Sequence, residues 1–144
     1  MKHGQRGFTL IEIMVVVVIL AVLGALVVPK ILENVDKARV TRAQSDIRAI
    51  QTALDLYRLD NFKYPTTEQG LAALVKQPVD PTITNYRSGG YLSSLPKDPW
   101  NNVYQYTSPG ADGRDYDIIT YGRDGKPGGE GYDADISTST LDPK

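Results

Sequence analysis

Residues 8–28 read FTLIEIMVVVVILAVLGALVV and carry a single charge, Glu12. About 20 apolar residues in a helix cross the hydrocarbon core of a bilayer, so this stretch is long enough to span one. A secretory signal peptide has an apolar run of only about 7–15 residues, with a small-x-small cleavage site behind it. Here the run is longer and Pro29-Lys30-Ile31 follows it, which fits a retained signal anchor better. In front stands MKHGQRG, short, polar and basic through Lys2 and Arg6. Those charges hold the N-terminus on the cytoplasmic side by the positive-inside tendency. Glu12 is the exception, because a carboxylate inside an apolar segment is costly unless it is neutralised or paired. Two readings follow. Either Glu12 lies near enough to the interface to snorkel, or it pairs with a positive group on a neighbouring chain. A free amine at Phe8, created by a cut after Gly7, would be such a group.

The junction Arg6-Gly7-Phe8-Thr9-Leu10-Ile11-Glu12 resembles the class III prepilin signal. It has a short basic leader ending in Gly, then Phe, then Glu five residues into the mature chain, with an apolar run behind. The resemblance implies that a membrane prepilin peptidase cuts after Gly7 and N-methylates Phe8. It also implies that Glu12 meets the N-terminal amine of an adjacent subunit during filament assembly. The expected organisation is a leader over 1–7, a transmembrane or filament-core helix over 8–29, and a periplasmic globular domain over 30–144.

Gly24 and Pro29 interrupt the apolar run near its end. Proline removes a backbone donor and loosens the turn before it, so the residues alone predict a kink at the membrane exit. In pilin-like filaments the matching stretch loses helicity on assembly, and the resemblance implies the same for residues 24–29. Beyond Pro29 the pattern turns amphipathic. Ile31, Val35, Ala38, Ala43, Ile47, Ile50, Leu54 and Tyr57 fall mostly at steps of three and four, with charged residues between them. That spacing marks one buried helical face. A continuous helix from Phe8 to about Arg58 would be roughly 75 Å long at 1.5 Å per residue.

Asn61 to Pro65 breaks that helix. Thr67-Glu68-Gln69 before Leu71, Leu74 and Val75 reads as a new start, predicting a short helix over 67–76. Residues 77–98 read as a loop. Strands are expected over 103–107 and 116–121, with a weak third near Ile136 and a hairpin-like turn over 110–113. The fold class is therefore α+β, a long helix packed on a small antiparallel sheet.

Composition narrows the function. There is no cysteine, hence no disulfide and no thiolate site. The single histidine is His3, which argues against a Ser-His-Asp triad or a multi-His zinc site. Sixteen basic and 17 acidic side chains give a net charge of −1, and that balance offers no footprint for nucleic acid. Nine Tyr against two Phe and one Trp suit half-buried sheet surfaces and subunit contacts.

Several further strings resemble the major pseudopilins of type II secretion. They are Tyr64-Pro65-Thr66-Thr67-Glu68-Gln69-Gly70-Leu71, Leu95-Pro96-Lys97-Asp98-Pro99-Trp100, Tyr104-Gln105-Tyr106, Gly122-Arg123-Asp124-Gly125 and Ala134-Asp135-Ile136. The likeness covers about residues 1–136. It implies a pilin-like fold and a structural subunit, not an enzyme. Such a subunit polymerises with copies of itself and with minor pseudopilins on an inner-membrane assembly platform, to drive export of folded proteins. It implies residence in the bacterial inner membrane and then in a periplasmic filament. A type IV or competence pilin shares the N-terminal signal, but such pilins usually close their C-terminal region with a disulfide. A membrane-anchored calcium-binding domain that never polymerises is the remaining alternative, ahead of a membrane-anchored hydrolase using two carboxylates.

The chain beyond Asp112 is rich in Asp and Gly. Calcium takes six to eight oxygen ligands, mixing carboxylates with backbone carbonyls, and Asp-Gly loops supply both. A solvated acidic turn has the same composition. Neither an EF-hand spacing nor a P-loop is present. The resemblance implies one calcium in this loop. By position, Asp124 and Asp135 are its carboxylate ligands, Asp133 is a third candidate, and the carbonyls of Tyr121 and Lys126 contribute. Where the family has Gly-Asn-Trp after the Ile, this chain has Ser137-Thr138-Ser139, which leaves the final residues unassigned.

Overall fold

The computed structural model describes residues 7–143. The expected leader, except for Gly7, lies outside them. One α-helix, α1 (Leu10–Asn61), is followed by strands β1 (Gln105–Thr107), β2 (Asp117–Thr120) and β3 (Ile136–Ser137) and a one-turn helix α2 (Thr138–Leu141). The chain divides into two units, Met1–Asp36 and Lys37–Lys144.

In the described part of the first unit, α1 continues as helix through residues 24–29, although Pro29 has no N–H to give to the ladder. The predicted kink does not interrupt the helix. The large apolar side chains here, from Phe8 through Leu32, are exposed. Outside the Pro29 rung a continuous helix satisfies its own backbone, and the side chains are left for other apolar material to cover.

The second unit holds the core. On α1, Ala43, Ile47, Ile50, Ala53, Leu54 and Tyr57 are buried at steps of three and four, the face that the sequence spacing marks. Leu71, Leu74, Ile83, Tyr104, Tyr106, Ile118 and Ile136 complete it. Full burial of one Leu or Ile contributes about 1.5–3 kcal/mol. The helix ends at Phe62, whose φ of 62° is left-handed and whose amide donates to the Arg58 carbonyl at 2.7 Å. This is an αL stop built without glycine. Asn61 Nδ2 donates to the Tyr57 carbonyl and to the Tyr91 hydroxyl, both at 2.9 Å, fastening the helix end to the loop beyond.

The sheet order is β1-β2-β3, antiparallel throughout. Tyr106 faces Ile118, and Thr120 faces Ile136. All three strands lie where the sequence predicts them; β1 and β2 are shorter than expected, and β3 is a two-residue strand at Ile136. The helix expected over 67–76 does not form; residues 71–74 make a single 3₁₀ turn. A capping box does form at the start of this stretch, between Thr66 and Gln69. Thr66 N donates to Gln69 Oε1 and Gln69 N to Thr66 Oγ1, at 3.0 and 3.2 Å. Gly70, at φ 58°, then leaves the helical region and ends the turn.

Two buried carboxylates fasten loops to the sheet. Asp98 Oδ1 accepts from the amides of Trp100 and Asn102 at 3.0 and 2.7 Å, and Oδ2 from Thr120 Oγ1 at 2.5 Å. Asp117 Oδ2 accepts from Ala111 N at 2.6 Å, and Oδ1 from Thr138 Oγ1 at 3.1 Å. A buried carboxylate is tolerated when its oxygens are met in this way. Ser137 caps α2 in a capping box with Thr140, which gives the Ser-Thr-Ser string a structural role.

Candidate functional site

At the N-terminal end, Thr9 and Glu12 form a reciprocal cap. The Thr9 amide and hydroxyl donate to Glu12 Oε2 at 2.8 and 3.1 Å, and the Glu12 amide donates to Thr9 Oγ1 at 3.3 Å. Threonine at the cap and glutamate three residues on is the capping-box arrangement, and the negative charge lies at the positive end of the helix dipole. The chain by itself thus meets part of the hydrogen-bonding need of Glu12. Beside the interface and a neighbour's amine, this gives Glu12 a third partner, and the Thr-x-x-Glu spacing is its signal in the sequence. Gly7 and Phe8 are exposed on the non-helical residues just before α1. Among the described residues, a Cβ on Gly7 would meet nothing within 4 Å. Gly24 and Pro29 both lie within continuous helix.

At the C-terminal end, the candidate calcium residues lie on one loop between β2 and β3, and they separate into two groups. Asp124 Oδ1 accepts from the Lys126 amide at 3.1 Å, a tight local turn. Asp135 Oδ2 reaches across the loop to the Gly128 amide at 3.0 Å. Asp135 Oδ1 is buried and has no hydrogen-bond partner among the described residues. A buried carboxylate oxygen without a donor is costly, and a hard cation would satisfy it. Asp133 belongs to the other group. Arg123 Nε donates to its Oδ1 at 2.8 Å and Arg123 NH2 to its Oδ2 at 3.1 Å. Tyr121 is half-buried and Lys126 exposed on the first limb of the loop. Among the described residues, no three His, Cys, Asp or Glu side chains converge as a metal cluster. The orphaned Asp135 Oδ1 is the feature of this loop that suits a hard cation. Arg123, Asp98 and Asp117 are the residues that sequence reading missed. Their partners are distant in sequence or are backbone amides, which no short motif reveals.

An apolar helix capped at its start, running on into an amphipathic stretch that packs on a small antiparallel sheet, defines the pilin-like class of membrane-anchored subunit. Known proteins resolve the class further. The family described as "Type II secretion system (T2SS), protein G" matches residues 30–139, and the "Prokaryotic N-terminal methylation motif" matches residues 2–28. The chain belongs to the type II secretion system protein G family. It is 58% identical over 137 residues to the type II secretion system core protein G of Vibrio cholerae, covering 95% of this chain and 93% of that protein. It is also 58% identical over 136 residues to that of Pseudomonas aeruginosa, covering 94% and 95%. Among solved structures, the major pseudopilin of the type 2 secretion system of enterohaemorrhagic Escherichia coli superposes with a TM-score of 0.67 at 49% identity. That match covers 76% of this chain and 89% of that one.

Proposed function

We propose that this pseudopilus subunit of type II secretion works by exchanging one apolar environment for another. The precursor resides in the bacterial inner membrane, N-terminus in the cytoplasm. Prepilin peptidase cuts after Gly7 and methylates Phe8. The assembly platform then lifts the subunit into a periplasmic filament of like copies, which minor pseudopilins accompany, and the growing filament drives export of folded proteins. Its role is structural.

The observation that carries this reading is the first unit's helix, whose large apolar side chains find no cover among the described residues. In lipid they are covered by acyl chains, and in the filament by neighbouring helices. Van der Waals packing between helices replaces packing against lipid. On transfer, Glu12 leaves its local cap with Thr9 and meets the amine of Phe8 on a neighbour, so that two charges cancel in an apolar core. Residues 24–29 lose helicity at this step. Asp124 and Asp135, with the carbonyls of Tyr121 and Lys126, hold calcium. The ion draws two carboxylates and the loop backbone together and so fixes a surface for neighbouring subunits.

The test is the mass of the N-terminal peptide from protein made in its native host. Loss of residues 1–7 with one added methyl on Phe8 is expected, together with loss of filaments in Glu12→Ala. An intact Met1, or a cut beyond Val28, sinks the processing route.

A further inference from the structure

Arg123 stands at the neck of the C-terminal loop, where its two limbs meet. Its guanidinium grips both oxygens of Asp133, at 2.8 and 3.1 Å. Its backbone amide donates to the Tyr132 carbonyl at 3.1 Å. The same neck has no room for a side chain. A Cβ on Gly122 would lie 2.8 Å from the Ala134 carbonyl oxygen, and one on Gly129 would collide with the Asp133 backbone. Both glycines have positive φ, 66° and 85°. Backbone contact, one amide hydrogen bond and a two-point ion pair therefore close the loop using only this chain's own atoms. The fork of a guanidinium matches a carboxylate in plane and spacing. With both its oxygens engaged, Asp133 presents a neutralised pair and not an open anion.

We propose that Arg123 is the positioning residue of this loop: its pair with Asp133 closes the neck with or without a cation, and removes that carboxylate from the oxygens offered to calcium. The second half rests on the calcium reading above; the first half does not. A loop closed in this way holds Asp135 on its return limb, with its Oδ2 on the Gly128 amide, before any ion arrives. The ion then binds a set of two acidic residues.

The two halves separate experimentally in the full chain in detergent micelles, using Arg123→Ala, Asp133→Asn and the double variant. The first readout, in chelator, is the rate at which a glutamate-specific protease cuts after Glu130, followed by peptide mass. Each single variant is expected to raise that rate roughly fivefold, as loss of a well-aligned, half-exposed ion pair would, and the double no further. Unchanged rates in both variants overturn the closing role. The second readout is calcium affinity by calorimetry, with calcium itself as the probe. Arg123→Ala and Asp133→Asn are expected to weaken it by the same factor, because each only opens the neck. Tighter binding in Arg123→Ala alongside a collapse in Asp133→Asn makes Asp133 a direct ligand and overturns the second half. If the unaltered chain binds no calcium while the variants still open the neck in chelator, the calcium reading fails, the second half falls with it, and the closing role stands.

Discussion

Ile, Leu and Val meet opposite fates at the two ends of α1. Up to Asp36 they are exposed, whereas Ile47, Ile50 and Leu54 retain no accessible surface. The helix assignment does not distinguish the two stretches, since one α-helix covers both. The difference lies in spacing. In the first stretch apolar residues fill every face, and in the second they fill one. A helix apolar all round has no solution within a small chain and is made for an apolar surrounding; a helix apolar on one face builds its own core.

The largest expected effect separates these two fates directly. Leu54→Ala should destabilise the second unit by about 2–5 kcal/mol, the range for large-to-small changes in a packed core. Leu20→Ala should leave that unit's stability within about 0.5 kcal/mol. Urea unfolding of the full chain in detergent, followed by near-ultraviolet circular dichroism, reads both. Equal losses would erase the distinction between the two stretches. A smaller effect of opposite sign is expected where α1 ends. Phe62 holds a left-handed backbone while its ring is 83% exposed. Phe62→Gly relieves the backbone and gives up little packing, so it should raise stability by about 0.5–1 kcal/mol. A fall would mean that the ring packs better than its exposure implies.

The smallest effect is one of pH. Asp80 is held well below the usual carboxylate range by the Thr82 hydroxyl and amide, helped by Lys63 and Gln69, all donating to the charged form. A carboxyl depressed in the folded state lends stability that is complete above its unfolded pKa and is lost as pH falls toward the folded one. The urea-midpoint difference between wild type and Asp80→Asn should therefore be constant above about pH 5 and shrink below about pH 4. A difference that persists unchanged to pH 3 would assign the role of Asp80 to shape alone.

What the sequence made legible follows from how far apart interacting residues lie. The helical face from Ala43 to Tyr57 is written at steps of three and four, and the structure buries it. The strands around Tyr106 and Ile118 were equally readable. Gly70 decided the fate of residues 67–76 through its backbone angle, against apolar spacing that argued for helix. The Arg123–Asp133 pair was unreadable because it depends on glycine turns that bring two limbs together. Asp133 by itself reads as one more acid in an acidic stretch. Thr9 and Glu12 were legible as a capping box, yet the apolar run drew attention to Glu12 as an isolated charge.

The Asp98 cluster has an optical consequence. Trp100 is the protein's one tryptophan; it packs against the core, with its indole nitrogen shielded from solvent. Its amide is tied to Asp98, which is tied in turn to β2. Indole emission shifts to the red when the ring meets water, so intrinsic fluorescence reports on this corner of the sheet without an attached dye. The nine tyrosines absorb at shorter wavelength and pass excitation to the indole. A filament, a micelle and a free subunit can thus be compared by the colour of one ring, whatever happens to the apolar helix.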